Sequence, residues 1–441
     1  MEVFGRGNYI LEKFDVAVIG GGPAGLFAAG TAAKNGAGVI LLEKNSSVGE
    51  KLLIAGKGRC NITNAEEDMQ TFISRYGENG KFLYSALSQF SPADTVEFFN
   101  SRGIKTVVER GMRIFPENGD ASLILKCLLS FCKEGKVLIN RNTEVRNIIV
   151  KDNAIVRLLV KTNSESQEIE ATNYIIATGG KSFPNTGSTG DGYVFAKRAG
   201  HAVVTPRPVI VPIKTHETWV KLAKGINLRN VKLTAWLGDK KISERFGEME
   251  FAPFGISGPI VMDMSREILD YPFLESGKVD QGEDVVYLTL DLKPALNEDT
   301  LVIRAKREFE ERVGARFDNA LRSFVPGGLV PLVLHLSDIP HDKPVKYISD
   351  EEILEFVNLL KSIKLHPSGA AGFNHAIVTR GGISLNEIDP ASMRSKICEN
   401  LWFAGEVMDI DGPTGGFNLQ NCWSTGAVAG RKAAIAQNRA C

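Results

Sequence analysis

Residues 14–25 read Phe14-Asp15-Val16-Ala17-Val18-Ile19-Gly20-Gly21-Gly22-Pro23-Ala24-Gly25. An apolar run of strand character enters a glycine turn and leaves in an Ala-rich helix that extends to about Asn35. Such a unit is built to hold the pyrophosphate of a dinucleotide. Gly20 permits the tight turn, Gly22 lets the backbone approach the phosphates, and Gly25 lets the helix pack closely on the sheet. Pro23 and Ala24 open the helix, whose free N–H groups and positive dipole end face the phosphates. Val39–Leu42 reads as the next strand and ends in Glu43, 18 residues beyond Gly25. A carboxylate there grips ribose hydroxyls and repels a 2′-phosphate.

The 441 residues suggest two to three domains, and 43% hydrophobic with 24% charged residues fits a globular enzyme with a substantial core. Lys+Arg and Asp+Glu both total 52, so no charge surplus argues for a nucleic-acid or anionic-membrane partner. The expected partner is a small-molecule substrate; these numbers set no oligomeric state. The start is polar and the apolar strand too short to cross a bilayer, so neither a signal peptide nor a membrane span is expected. The six cysteines form no CxxC pair and read as reduced thiols in a cytoplasmic protein, which speaks against a disulfide relay. The six histidines are scattered, so no metal site is expected.

Strands and helices alternate to about residue 200. Thr71–Phe90, Pro92–Arg102 and Ala121–Lys133 read as helices. Lys136–Asn140 reads as a strand, and Val145–Lys151 with Ile155–Lys161 as a hairpin around Asp152-Asn153. Asn173–Ala177 reads as a buried strand ending in Thr178-Gly179-Gly180. From His201 to about Pro259, short apolar runs broken by Pro and Gly suggest antiparallel sheet or a small barrel. Asp299–Phe324 and Glu351–Leu360 have helical patterns. Leu401-Trp402-Phe403-Ala404-Gly405-Glu406 then reads as a strand running into a Gly-acid turn, before a late helix Asn418–Gln437. The nucleotide domain is therefore expected to be discontinuous.

This second element favours FAD over NAD as the resident dinucleotide. The acid Glu406 can bind the ribityl or pyrophosphate region. The helix start near Gly415-Gly416-Phe417-Asn418 can face the pyrimidine edge of the flavin and stabilise its reduced, negative form. No second GxGxxG follows a strand, so NAD(P)H is expected as a transient electron donor.

Further segments resemble one family. They are Gly58-Arg59-Cys60-Asn61-Ile62-Thr63-Asn64, Ala177-Thr178-Gly179-Gly180-Lys181-Ser182-Phe183-Pro184, Gly187-Ser188-Thr189-Gly190-Asp191-Gly192-Tyr193, Thr379-Arg380-Gly381-Gly382 and Gly415-Gly416-Phe417-Asn418-Leu419-Gln420. Together they resemble the BaiN-like, also YhiN-like or aminoacetone-oxidase-like, NAD(P)/FAD-dependent oxidoreductases across essentially the whole chain. The resemblance implies an α/β fold. Its Rossmann-like FAD-binding domain would be of the two-dinucleotide-binding-domain flavoprotein type, with a β-rich, barrel-like insertion and a small helical subdomain. The expected boundaries are 1–200 with 370–441 for the FAD domain, 201–290 with 335–369 for the β-rich domain, and 291–334 for the helical one. The resemblance also implies reduction of enone-type, bile-acid-like double bonds in some members. It further implies main-chain contact of Val145 with adenine. The family usually carries Phe-Thr-His before Gly-x-Ser-Gly-Pro. Here Phe251-Ala252-Pro253 precedes the Phe254 that leads into Gly255-Ile256-Ser257-Gly258-Pro259, so Pro253 stands where the His is expected.

In the loop after Glu43, Arg59 is expected at a phosphate or flavin edge unless it pairs with a carboxylate, and Asn61 at ring atoms. Cys60 reads as a small packing residue rather than a redox thiol. Thr178 and Gly179 are expected beneath the adenosine, and Asp191 either caps a helix or meets the cofactor. Lys44, Lys51 and Asp411 complete the expected cofactor contacts. Arg380 and Asn61 are the expected catalytic residues, Arg380 binding a carboxylate or polarising a carbonyl in an interdomain cleft. His366 and His375 are weaker proton-donor candidates. An O2-dependent amine or amino-ketone oxidase, a flavin-binding electron-transfer or regulatory protein, and a nucleic-acid-modifying flavoenzyme are the alternative readings.

Overall fold

The apolar run at 14–19 forms strand Lys13–Ile19 of a seven-stranded sheet in the computed structural model, which describes residues 13–162, 165–273 and 285–437. The strand pairs in parallel with Val39–Leu42 on one side and Glu165–Ile176 on the other. Leu138–Asn140 and Leu401–Phe403 continue the parallel order outward. Val16, Ala17 and Val18 are wholly buried, which a parallel strand covered on both faces requires. The hairpin Thr143–Lys151 and Ala154–Thr162 joins through the first residues of Glu165–Ile176. Its turn residues Asp152 and Asn153 have φ of 49° and 57°, the left-handed pair of a two-residue hairpin turn.

The chain divides into two compact units: Met1–Pro208 with Val378–Cys441, and Val209–Ile377. In the first, helix Pro23–Lys34 packs against the C-terminal helix Phe417–Gln437. Small residues set their approach. A Cβ added at Gly430 would lie 2.3 Å from the Ala28 carbonyl oxygen, and one at Gly426 2.8 Å from that of Ala24. The wholly buried Trp423 donates its Nε1 hydrogen to the Ile62 carbonyl at 2.8 Å, tying the late helix to the loop after Glu43. The long helix expected over Thr71–Phe90 is broken into helix Met69–Ser74, 3-10 turns Gly77–Leu83 and helix Tyr84–Gln89. Gly77 is left-handed at φ 72°, and a Cβ at Gly80 would lie 2.2 Å from the Ile73 carbonyl oxygen. The chain folds back there instead of continuing as one helix.

The second unit holds another seven-stranded sheet. Its order is Ile363–Leu365, Val286–Asp291, Asn227–Leu237, Lys240–Ala252, Gly255–Ser257, Ile213–Thr215, Pro367–Ala370, with antiparallel pairings throughout. The two edge strands are consecutive in the chain with His366 between them, so the sheet curls until its edges meet. This is the barrel-like insertion. Residues 291–334, expected as a small helical subdomain, contribute to the core of this sheet. Leu301, Ala305 and Phe309 of helix Glu298–Glu310 lie in one buried cluster with Leu288, Leu290 and Phe356. The rings of Phe309, Phe317, Phe324 and Phe356 contact one another at 5.2–6.3 Å between centroids.

Gly430→Ala places a methyl against a carbonyl that neither helix can easily move. It should lower the unfolding free energy by about 1–3 kcal/mol, seen as a lower urea midpoint at an unchanged m-value.

Candidate functional site at the carboxyl ends of the parallel strands

Open α/β sheets bind ligands beyond the carboxyl ends of their strands, and the sequence candidates gather there. Gly20 leaves its strand at φ 106°, and a Cβ on it would lie 2.6 Å from the Ala177 carbonyl oxygen. A Cβ at Gly25 would lie 1.8 Å from the Gly20 oxygen, so the helix sits directly on its own turn. At Gly22 an added Cβ would meet nothing within 4 Å, which leaves the approach to the helix N-terminus open. The first intrahelical bond runs from Leu26 N–H to the Gly22 carbonyl at 2.9 Å. The Ala24 and Gly25 amides precede it and belong to the set that a helix start leaves for a ligand.

Glu43 faces this turn. Its Oε2 accepts from Gly21 N–H and its Oε1 from Asn45 N–H, both at 2.8 Å. Each oxygen keeps a lone pair for a ribose hydroxyl. Val145 lies two residues beyond Thr143, whose amide donates to the Glu43 carbonyl at 2.8 Å. Lys44 and Asp191 meet each other at 2.6 Å, and Lys44 also bonds Thr189 Oγ1 at 2.5 Å. Asp191 is the first residue of helix Asp191–Arg198.

The end of Glu165–Ile176 supplies Thr178 and the left-handed Gly179, φ 69°. Thr178 Oγ1 is buried and has no hydrogen-bond partner among the described residues. At the end of Leu401–Phe403, Gly405 is left-handed at φ 76°, and its amide donates to Thr425 Oγ1 at 2.9 Å. Glu406 takes Lys51 Nζ on Oε2 at 2.7 Å and Thr379 N–H on Oε1 at 2.8 Å. Thr379 Oγ1 also accepts from the amides of Lys181 and Ser182 at 2.9 and 3.1 Å. Thr379 thus joins two strand ends, a role that sequence reading missed although the residue opens the Thr379-Arg380-Gly381-Gly382 segment.

The loop after Glu43 is fastened from both sides. Ile62 N–H donates to the Ile114 carbonyl at 2.9 Å, and Thr63 Oγ1 donates to Gln420 Oε1 at 2.6 Å. Between these anchors Asn61 Oδ1 is buried without a partner among the described residues. Cys60 is fully buried at φ 59°, and desolvation pushes its thiol far up, so it is no thiolate. Arg59 takes the carboxylate alternative: it pairs with Glu109 and lies over the Phe115 ring, 4.3 Å from its centroid.

Gly416 sits against Thr63, where a Cβ would lie 2.3 Å from the backbone. The Phe417 ring packs on Phe72 and Tyr76, and Tyr76 donates its hydroxyl to the Phe417 carbonyl at 2.7 Å. Asn418 spends its side chain on the preceding loop, accepting from Gly412 N–H and donating to the Gly412 and Pro413 carbonyls. Arg380 and Asp411 form a part-buried pair, with Nε to Oδ1 at 3.0 Å and Nη2 to Oδ2 at 3.2 Å. In the second unit His366 is paired to Glu217, and His375 lies 5.8 Å from the Phe254 ring beside Pro253. No metal-binding cluster occurs among the described residues.

Burial holds the Glu43 carboxyl above its usual 4.5, although the amides of Asn45 and Gly21 pull it down. In the unfolded chain Glu43 ionises near 4.5, whereas in the fold it does so at higher pH. The stability it contributes is complete below the unfolded value and is lost as pH rises through the folded one. Cofactor-free Glu43→Gln should therefore lose less stability than the parent as pH rises from about 4 to 7, read by urea denaturation at each pH.

The comparisons agree with this geometry. The chain is 30% identical to the 3-dehydro-bile acid delta(4,6)-reductase of Clostridium scindens over 95% of its own length and 98% of that protein. It is 28% identical to the ribosomal RNA dihydrouridine synthase of Escherichia coli, over 94% and 96% of the two chains. Its fold resembles a flavocytochrome c3 fumarate reductase in the open conformation, with a TM-score of 0.54 at 19% identity over 97% of this chain and 79% of that one. The profile of the HI0933-like protein Rossmann domain matches residues 14–432. The α/β architecture is thus the Rossmann-type FAD-binding fold, and the chain belongs to the HI0933-like family of BaiN-type flavoproteins.

Proposed function

We propose that the protein is an FAD-dependent reductase that saturates a carbon–carbon double bond conjugated to a carbonyl, with NAD(P)H as transient electron donor. The supporting observation is the cradle itself: an open helix N-terminus at Gly22, Glu43 beside it, and Thr178 Oγ1 and Asn61 Oδ1 buried and unpartnered around the strand ends. Such atoms are costly unless a ligand satisfies them. In this reading the Ala24 and Gly25 amides bind the pyrophosphate, Glu43 accepts the ribose hydroxyls, and Asn61 bonds the flavin. The start of helix Phe417–Gln437 holds negative charge at the pyrimidine edge. FAD, when bound, supplies two-electron hydride chemistry.

Two relatives support this reading of the reaction. A delta(4,6)-reductase of a 3-dehydro-bile acid and a dihydrouridine synthase both saturate an alkene attached to a carbonyl system. A steroid and a pyrimidine share little else. The balance of 52 basic and 52 acidic residues favours a hydrophobic enone over a polyanionic RNA. Arg380, held by Asp411, is proposed to polarise the substrate carbonyl. The cysteines among the described residues are buried and unpaired, which suits the reducing cytoplasm.

Purified protein should be yellow and release FAD on denaturation. NADH or NADPH should bleach it anaerobically, and a steroid 4-en-3-one should restore the colour faster than uridine-containing RNA. Hydrogen peroxide formation with small amines, and no response to conjugated alkenes, would instead identify an oxidase. Asn61→Ala should raise the FAD dissociation constant about three- to tenfold, the weight of one hydrogen bond, measured by flavin fluorescence.

A further inference from the structure

We infer that Asn64, a positioning residue, sets the reduction potential of the bound flavin by holding the peptide between Gly415 and Gly416, an inference that rests on the FAD reading proposed above. Asn64 closes the segment Gly58–Asn64 and is only 4% exposed. Its side-chain amide is fully engaged. Nδ2 donates one hydrogen to the Gly415 carbonyl at 3.0 Å and the other to the Gly111 carbonyl at 3.3 Å, while Oδ1 accepts from Glu66 N–H at 3.1 Å. The reversed amide would set its oxygen against two carbonyl oxygens, so only one orientation fits. Gly111 lies in the turn between strands Thr106–Glu109 and Arg113–Pro116. One side chain therefore ties that turn to the start of the late helix.

The peptide it holds is one that would otherwise turn easily. Gly415 and Gly416 have φ of 114° and 100°, and glycine passes between such conformations at little cost. A peptide flanked by two glycines can rotate as a unit and exchange the directions of its C=O and N–H. In a planar trans peptide these two groups point opposite ways. With the Gly415 oxygen drawn to Asn64, the Gly416 N–H leaves on the other side. Thr63 supports the arrangement. A Cβ at Gly416 would lie 2.3 Å from its backbone, and its Oγ1 donates to Gln420 Oε1 at 2.6 Å. The first bond of helix Phe417–Gln437 runs from Gln420 N–H to the Gly416 carbonyl at 3.0 Å. The Gly416 N–H is thus the outermost of the four that a helix start leaves without an intrahelical acceptor.

In the proposed reading this helix start holds the negative charge that reduction places on the pyrimidine edge. A hydrogen bond to a charged acceptor is about twice as strong as a neutral one. A fixed N–H therefore favours reduced flavin over oxidised flavin. Without Asn64 the peptide can rotate, the N–H turns away, and the loss falls chiefly on the reduced form. The potential then drops. Asn64, its own amide engaged within the protein, acts only through that peptide.

The test uses full-length, FAD-loaded protein carrying Asn64→Ala, Asn64→Ser or Thr95→Val. Thr95 Oγ1 donates to Gln420 Oε1 at 2.9 Å, so its loss loosens the same helix turn while the Gly415 carbonyl stays held. Both Asn64 variants should weaken the binding of reduced relative to oxidised FAD about tenfold, the weight of one such bond. That factor places the flavin midpoint about 30 mV more negative for a two-electron couple. The dissociation constant of oxidised FAD should rise by less than that factor, and Thr95→Val should keep the parent potential. Anaerobic dye equilibration reads the potential, and flavin fluorescence the dissociation constant. Asn64→Ser carries the test if Asn64→Ala does not fold. An unchanged potential in the Asn64 variants overturns the inference alone, as does an equal shift in Thr95→Val. If the parent protein binds no FAD, the proposed function fails and takes this inference with it.

Discussion

The closeness of helix Pro23–Lys34 to the turn before it sets the positions of the groups around the site. A side-chain carbon at Gly25 would stand 1.8 Å from the Gly20 carbonyl oxygen, and one at Gly405 2.7 Å from the Ala24 Cβ. A carbon at Gly20 would lie 2.6 Å from the Ala177 oxygen. Three strand ends are therefore held against one helix start at distances that only hydrogen permits. Glu43, Thr178 and Glu406 each follow one of the strands that end here. Catalytic geometry tolerates little slack, since a misplacement of about 1 Å can cost about 10²-fold in rate. A methyl at any of these glycines would displace a strand end together with the polar group it carries.

A second constraint is energetic. Asn61 Oδ1 and Thr178 Oγ1 lie buried without partners among the described residues, and burial raises the Glu43 carboxyl above its usual value. Each unsatisfied group costs about 1–3 kcal/mol, so the protein without a bound ligand is less stable than its apolar core alone would make it. A ligand that supplies those hydrogen bonds removes the penalty and stabilises the fold by mass action. The part-buried pairs Lys51–Glu406 and Arg380–Asp411 act differently. Such pairs roughly offset their own desolvation and chiefly fix side-chain direction.

Patterns that depend on local spacing were legible in the sequence. The run to Gly25, Glu43 at the end of the next strand, and the late Gly405-Glu406 strand all report a backbone path, and the structure follows it. Side-chain partners were less legible because they come from distant segments. Nothing near Arg59 announces Glu109, and nothing near Lys44 announces Asp191. Asn418 looked available to the flavin but is consumed by Gly412 and Pro413 in its own loop. The helix over 71–90 failed because its apolar spacing outweighed Gly77 and Gly80, whose close contacts appear only once the chain is folded. Periodicity shows that Leu301, Ala305 and Phe309 of the helical part share a face, but not that this face covers the core of the β-rich sheet.

The second unit carries this argument to the departure at Pro253. Ala252 pairs with Gly255 across a tight turn, so Pro253 and Phe254 sit at its tip. Proline fixes its own φ and donates no hydrogen bond, so an imidazole cannot be replaced there in kind. Yet His375, from a segment more than a hundred residues later, brings its ring to 5.8 Å from that of Phe254. His366 stands at the seam of the same sheet with its ring on Glu217. An antiparallel sheet that curls until its edges meet brings residues from its first and last strands together. Thr215 pairs with Pro367, the residue after His366, because the unit's first strand in chain order ladders directly with its last.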